Sequence, residues 1–129
     1  MSNGPSDLGG LRVLLVEDNL LLAEVIADAL ATYGCVVVGP APDVESGLQL
    51  AREAQFDGAL LDINLFGDFC FPIAAVLTER KIPFLFLTGY DNSRLIPPEF
   101  RSARRLSKPI DPDALSSAIS EHFRAPSVH

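Results

Sequence analysis

Four short stretches hold the residues able to do chemistry: VEDN (16–19), LLDINL (60–65), LTGY (87–90) and LSKPI (106–110). Each sets a charged or hydroxyl-bearing side chain after an apolar run: Glu17 and Asp18, then Asp62 with Asn64 two residues on, then Thr88, then Lys108. A bare carboxylate is costly to bury, so Asp62 at the end of Gly58-Ala59-Leu60-Leu61 needs company. If these runs are neighbouring strands, three carboxylates, a hydroxyl and an ammonium meet in one pocket. Carboxylates that close repel one another, and at least one pKa rises unless positive charge compensates. A hard divalent cation resolves the conflict, and Mg²⁺ favours carboxylate and carbonyl oxygens while sharing its shell with phosphate. With the charge offset, an Asp oxygen can attack an electrophilic phosphorus and form an acyl phosphate. The transferred group spreads negative charge over its equatorial oxygens, which Mg²⁺, Lys108 and Thr88 could each meet. Asp62 is then the acceptor, and Glu17 and Asp18 hold the metal.

The elements that must position these groups alternate. Leu11–Glu17 reads as a strand. Residues 19–33 have helical spacing, with Leu22, Val25, Ile26, Ala29, Leu30 and Tyr33 on the inner face and Gly34 as the stop. Cys35–Gly39 is a second strand. Pro42-Asp43 opens a second helix that turns Val44, Leu48 and Ala51 inward. Gly58–Ile63 is the third strand, Pro72–Arg80 the third helix and Pro83–Thr88 the fourth strand. Asp91–Arg101 contains Pro97-Pro98 and is predicted to form at most one or two turns. A short fifth strand at Arg104–Ser107 precedes Asp111-Pro112, a cap with proline at the first helical position. The last helix buries Leu115, Ala118, Ile119 and His122. Repeated βα units predict an α/β fold, a doubly wound parallel sheet with its site at the carboxyl ends of the strands. Residues 1–10 and 125–129 read as tails around one domain at 11–124.

The chain has 129 residues, enough for one domain with one core. Its net charge of −7 argues against nonspecific binding to nucleic acid or an anionic membrane. No apolar run approaches the roughly 18 residues of a transmembrane helix, and the N-terminus has no secretory pattern. Cys35 and Cys70 lack metal-type spacing and read as buried thiols in a reducing cytoplasm, so the expected location is cytoplasmic.

In order and approximate spacing the four motifs resemble the acidic pair, phosphoacceptor, switch threonine and lysine-proline of response-regulator receiver domains, over about Leu11 to Arg124. The resemblance implies a five-stranded, flavodoxin-like (CheY-like) sheet of order 2-1-3-4-5. It implies phosphorylation of Asp62 by a histidine kinase or histidine phosphotransfer protein. It also implies that Asp18 and Asp62 ligate Mg²⁺ directly, that Glu17 acts through water, and that the Asn64 carbonyl supplies a further ligand. Lys108 would pair with the phosphoryl group, aimed by a cis Lys108–Pro109 bond. The protein would be a stand-alone signalling switch, a monomer or weak dimer, giving output through a partner or serving as a phosphate sink.

Two positions depart from the family. Phe66 stands where proline is common. Arg105 stands where many receivers keep a Tyr or Phe that swings inward, and an always-charged guanidinium does not enter an apolar cavity unpaired. FLTGY (86–90) resembles a subgroup of stand-alone receivers with an F-x-T-G-Y-like motif, in which Tyr90 at the rim would gate access to the pocket. Arg94, Arg101, Arg104, Arg105 and Lys108 face only Glu99 between residues 94 and 108. This basic stretch is either a dock for an acidic partner or a solvated edge.

Two other functions fit parts of the pattern. A degenerate receiver would be an interaction module that needs no phosphorylation, yet it would have little use for the full residue set. A phosphoaspartate hydrolase would use a D-x-D-like loop, here Asp62-Ile63-Asn64, but that fold carries its nucleophile on the first strand. Asp18 or Asn19 could also serve only as a helix cap. Asp57 and Asp68 read as surface acids, and neither His122 nor His129 lies in a kinase motif.

Overall fold

The computed structural model describes residues 8–89 and 92–123. Five strands form one parallel sheet: β1 (Arg12–Val16), β2 (Val36–Ala41), β3 (Gly58–Asp62), β6 (Phe84–Thr88) and β7 (Arg105–Ser107). Their order is β2-β1-β3-β6-β7, which is 2-1-3-4-5 when the sheet strands are counted along the chain. The remaining two strands, β4 (Asn64–Leu65) and β5 (Asp68–Phe69), form a small antiparallel hairpin after β3. Four helices cover the sheet: α1 (Leu20–Thr32), α2 (Val44–Glu53), α3 (Phe71–Arg80) and α4 (Pro112–His122).

Both faces of the sheet are buried, so the central strands are apolar throughout rather than alternating. Every residue of β3 and β6 is buried. Successive residues serve opposite faces. Leu14, Val16, Ala59, Leu61 and Phe86 pack with Ala51 of α2 and Ile73, Ala74 and Leu77 of α3. Val13, Leu15, Leu60, Leu85 and Leu87 pack with Ile26 and Leu30 of α1 and Leu115 and Ile119 of α4.

Helix α1 is rotated from its sequence reading. Ala23, Ile26 and Leu30 are its buried residues, whereas Val25 is 58% exposed. Leu20 to Ala31 is apolar on nearly every side, so hydropathy alone does not select the inner stripe. The helix ends where expected, with Gly34 at φ 89° and packed so near Gly9 that a Cβ at residue 34 would come within 2.9 Å of the Gly9 α-carbon. That contact belongs to a second correction. Leu8–Gly10, read as part of a free tail, are packed: Leu8 is buried in the α1/α4 cluster and the Gly10 N–H donates to the Gly34 carbonyl at 2.8 Å. Residues 125–129 of the other tail lie outside the described residues.

The stretch after β6 forms two 3-10 turns, Asn92–Leu95 and Pro98–Phe100, in place of a fourth full helix. Prolines 97 and 98 prevent a longer one. Phe100 fastens this segment to the core, its ring 6.0 Å from that of Phe71 at 18° and 6.1 Å from that of Phe86. His122 is half-buried at the end of α4. Cys35 and Cys70 are buried free thiols, as expected.

Candidate functional site

The carboxyl ends of β1, β3, β6 and β7 meet at one pole of the sheet. Asp62 pairs with Leu87, one residue short of Thr88, and Thr88 pairs with Ser107, one residue short of Lys108. The Lys108 N–H donates to the Thr88 carbonyl at 2.8 Å, and the Glu17 N–H to the Ala41 carbonyl at 2.9 Å. These bonds hold the ends of the strands level, so Glu17, Asp62, Thr88 and Lys108 emerge together. The Lys108–Pro109 peptide is cis, as the family resemblance implied.

Glu17, Asp62 and Thr88 are the buried polar or charged residues among those described, at 2%, 3% and 4% exposure. Lys108 reaches in from β7. Its Nζ lies 3.1 Å from Asp62 Oδ1, to which it donates a hydrogen bond, and 3.3 Å from Glu17 Oε1. The Glu17 contact is one of charge alone, because Oε1 accepts no hydrogen bond. Its other oxygen accepts the Asn19 N–H at 3.1 Å. Asn19 in turn caps α1, its Oδ1 accepting the Leu22 N–H at 3.0 Å. Asp18 is thereby free of the capping role, and its Oδ2 accepts the Phe66 N–H at 2.9 Å.

One ammonium does not balance three acids. Burial, followed by repulsion from Glu17, raises the Asp62 pKa to about 7 despite the opposing pull of Lys108. Burial also disfavours an ionised Asp18, but hydrogen bonds from the Phe66 backbone and among the acids outweigh it, and its pKa falls. Burial works against the Lys108 charge too, yet Asp62 and Glu17 hold its pKa above the ordinary lysine value. Beneath Asp62, burial and then the Asp62 charge push the Cys70 thiol far up, which leaves it unreactive.

The acids suit a hard cation. Glu17, Asp18 and Asp62 each offer one oxygen, and these oxygens lie within 4.8 Å of one another. Oxygens on one octahedral Mg²⁺ stand roughly 3 Å apart when adjacent and roughly 4 Å apart when opposite, so the three carboxylates lie near enough to gather around an ion, directly or through its waters. Glu17 Oε1 is a buried acceptor that receives no hydrogen bond and shares its one cation, Lys108, with Asp62, so it has room for a further positive partner. Asn64 is exposed, and its Oδ1 accepts the Gly67 N–H at 2.9 Å. A ligand role for Asn64 therefore falls to its carbonyl. Thr88 Oγ1 donates to the Leu106 carbonyl at 3.3 Å. Among these groups Phe66 is the one the sequence marked only as a departure from the family and not as part of the site. Its role is played by a backbone N–H, which carries no side-chain signal.

Over residues 13–120 the sequence matches the response regulator receiver domain family. The chain belongs to that family. Solved structures agree in fold. SdrG of Sphingomonas melonis Fr1, whose structure was solved in solution, is 32% identical with a TM-score of 0.76, covering 86% of this chain and 94% of that one. The receiver domain of the sensor histidine kinase PA1611 from Pseudomonas aeruginosa PAO1 is 23% identical with a TM-score of 0.77, over 88% and 97% of the two chains. That protein holds a magnesium ion in its active-site cleft. The sensory transduction protein LytT of Bacillus subtilis (strain 168) is 30% identical over 115 residues, which is 87% of this chain and 48% of LytT. The chain thus spans about half the length of the curated relatives it matches.

Receiver domains are regulators that gain and lose a phosphoryl group rather than enzymes that turn over a separate substrate. The acidic cluster and the Lys108 ion pairs are those of a receiver phosphoacceptor and metal site. The family and its doubly wound sheet also remove the hydrolase reading, since Asp62 ends the third strand rather than the first. Arg105 stays outside the core as its charge requires, exposed and donating from Nη2 to the Arg101 carbonyl at 2.9 Å. Asp57 does more than sit at the surface, because its Oδ2 accepts the Arg12 N–H at 2.8 Å and ties the start of β3 to β1. Tyr90 lies outside the described residues. Among the described residues no helix is long and apolar enough to cross a membrane.

Proposed function

We propose that the protein is a phosphorylatable switch of a two-component or phosphorelay system, with Asp62 as the acceptor and a histidine kinase or histidine phosphotransfer protein as donor. The observation that carries this reading is the burial of Asp62 at 3% exposure, with Lys108 3.1 Å away and Glu17 and Asp18 beside it. Glu17, Asp18, Asp62 and the Asn64 carbonyl are the groups that would hold Mg²⁺. When bound, the ion neutralises the acids and shares the charge of the phosphoryl oxygens.

The chain's own groups then divide the work. Asp62 must be ionised to attack, and its raised pKa leaves much of it protonated near neutrality until positive charge arrives. An Asp62 oxygen forms the new bond to phosphorus as the bond from phosphorus to the donor's imidazole nitrogen breaks, and the imidazole leaves. Lys108 meets a phosphoryl oxygen on the acceptor carboxylate that it already contacts. Thr88 turns its hydroxyl from the Leu106 carbonyl toward the same group.

The surface supports a protein donor and a protein target. Leu20 and Leu21, at 72% and 75% exposure, begin α1 directly after the acidic pair, and Phe66 is 70% exposed on the loop bonded to Asp18. An apolar rim beside an acidic mouth suits a macromolecule better than a small phosphate ester. Toward β7, Arg101 donates to the Ile96 carbonyl and Arg104 pairs with Glu121 at 2.7 Å, while both stay exposed. The region from Arg94 to Lys108 therefore offers guanidinium groups to an acidic partner. FLTGY supports membership of the F-x-T-G-Y-like subgroup of stand-alone receivers.

Incubation with acetyl phosphate and Mg²⁺, followed by intact-mass measurement, tests the reading. The expected result is a single base-labile phosphoryl adduct, absent in Asp62→Ala and with EDTA. A wild-type protein that gains no adduct is an interaction module instead.

A further inference from the structure

The loop after Asp62 contains a local conflict. Phe66 has φ 53°, in the left-handed region, and its ring is 70% exposed. An aromatic residue in that conformation costs on the order of 1–3 kcal/mol, and an exposed ring returns little by packing. Gly67 follows at φ 89°, so residues 66 and 67 form the tip of the β4–β5 hairpin with both φ angles positive. Asn-Gly or Gly-Gly would make that turn without strain.

The backbone at residue 66 makes one contact with the site. Its N–H donates to Asp18 Oδ2 at 2.9 Å, across 48 residues of sequence. The neighbouring N–H, of Gly67, is fixed by Asn64 Oδ1 at 2.9 Å. Leu65 is fully buried and Phe69 packs on Phe71 with ring centroids 5.7 Å apart, so the hairpin is anchored at both ends. A donor held this firmly fixes the carboxylate it meets. Asp18 is only partly buried and makes none of the ion pairs that hold Glu17 and Asp62. A proline at position 66 would have no N–H to offer and could not adopt φ 53°.

We propose that Phe66 is a positioning residue for the cation site, acting through its backbone: the hairpin tip presents the Phe66 N–H to Asp18 and holds that carboxylate in place to receive Mg²⁺. The hairpin joins Asp18 to Asn64 in one rigid unit, so two of the four ligand-bearing residues depend on one turn. This inference rests on the Mg²⁺-dependent switch reading, and it assigns the strain at residue 66 a purpose that its side chain does not explain.

Two substitutions separate the backbone from the ring. Phe66→Gly keeps the N–H and accepts a positive φ. Phe66→Pro removes the N–H and forbids that φ. Mg²⁺ affinity is measured by calorimetric titration of each protein, with circular dichroism and thermal melting as controls for folding. Phe66→Gly is expected to bind Mg²⁺ within twofold of wild type and to melt higher. Phe66→Pro is expected to fold and to bind Mg²⁺ about tenfold more weakly, the loss of one hydrogen bond to a charged acceptor. Asn64→Ala keeps the residue 64 carbonyl but frees the Gly67 N–H, and is expected to weaken Mg²⁺ severalfold; it serves as the test if the proline variant does not fold. Equal affinity in wild type and in the folded proline variant, or in Asn64→Ala, overturns the proposal. So does a glycine variant as weak as the proline one. A wild-type protein that binds no Mg²⁺ would instead remove the switch reading itself.

Discussion

Replacing Asp62 with Asn should stabilise the metal-free protein while abolishing its function. The reason lies in the crowding at the strand ends. In the folded protein burial and Glu17 hold the Asp62 pKa at about 7, against an ordinary value near 3.8. For an acid whose folded pKa is raised, the folded state retains the proton longer than the unfolded state. The penalty is absent below pH 4, grows between pH 4 and 7, and is complete above pH 7. A difference of that size corresponds to on the order of 4 kcal/mol at pH 8. The amide keeps the volume and can still accept from Lys108 through Oδ1, but it loses the charge attraction to that ammonium. A net gain of roughly 2 kcal/mol is expected, or about 8 °C in melting temperature for a domain of this size. Thermal melts in EDTA at pH 5 and pH 8, repeated with Mg²⁺, give the comparison. Asp62→Asn should melt well above wild type in EDTA at pH 8 and close to it at pH 5, where wild-type Asp62 is protonated. Mg²⁺ should raise the wild-type melting temperature at pH 8 and move the variant little. A variant that melts at or below wild type in EDTA at pH 8, or whose advantage is undiminished at pH 5, would refute the crowding argument.

Lys108→Met should act in the opposite direction: it leaves Glu17 and Asp62 without their cation and should lower the metal-free melting point at pH 8 by several degrees, with Mg²⁺ restoring part of the loss. The same variant should slow adduct formation from acetyl phosphate at least tenfold, as read by timed intact-mass measurement. Gly58→Ala would drive a methyl group into the Phe123 ring and should cost about 1–3 kcal/mol in urea unfolding, much of it recovered by adding Phe123→Leu. Asp111→Ala removes the cap of α4, whose side chain accepts the Ala114 N–H at 2.9 Å, and should cost about 1 kcal/mol, whereas Asp111→Asn should be nearly neutral.

Most of the sheet was legible because its signal is local. β3 and β6 are buried on both faces and read as unbroken apolar runs, and the charged residues that end the strands mark where the runs stop. The caps at Asp43 and Asp111 and the stop at Gly34 are equally local. What escaped depends on partners distant in sequence. The inner face of α1 is set by the sheet beneath it, and a helix apolar on several sides does not declare that choice. Leu8 is buried only because α1 and α4 leave space for it. The β4–β5 hairpin has two residues per strand and an aromatic at a position that usually calls for Asn or Gly, so it reads as an ordinary loop.

The site divides along the same line. Glu17, Asp18, Asp62, Thr88 and Lys108 were singled out from residue type and strand-end position, and the register brings Glu17, Asp62, Thr88 and Lys108 to one pole because parallel neighbours end level. The departure at Arg105 follows from that register too. Arg105 pairs with Phe86 on β6, so its side chain leaves the sheet beside the aromatic cluster of Phe71, Phe86 and Phe100. A ring there could join the cluster, but a guanidinium cannot do so without losing its water. Arg105 instead reaches the Arg101 carbonyl, and Arg101 reaches that of Ile96. The described part of the segment between Thr88 and β7 is therefore tied to the sheet by the Arg105–Arg101 bond and by Phe100, and braced within itself by the Arg101–Ile96 bond. On the proposed switch reading, a signal that leaves Thr88 would strain or release those ties, because no aromatic side chain is available at residue 105 to move in its place.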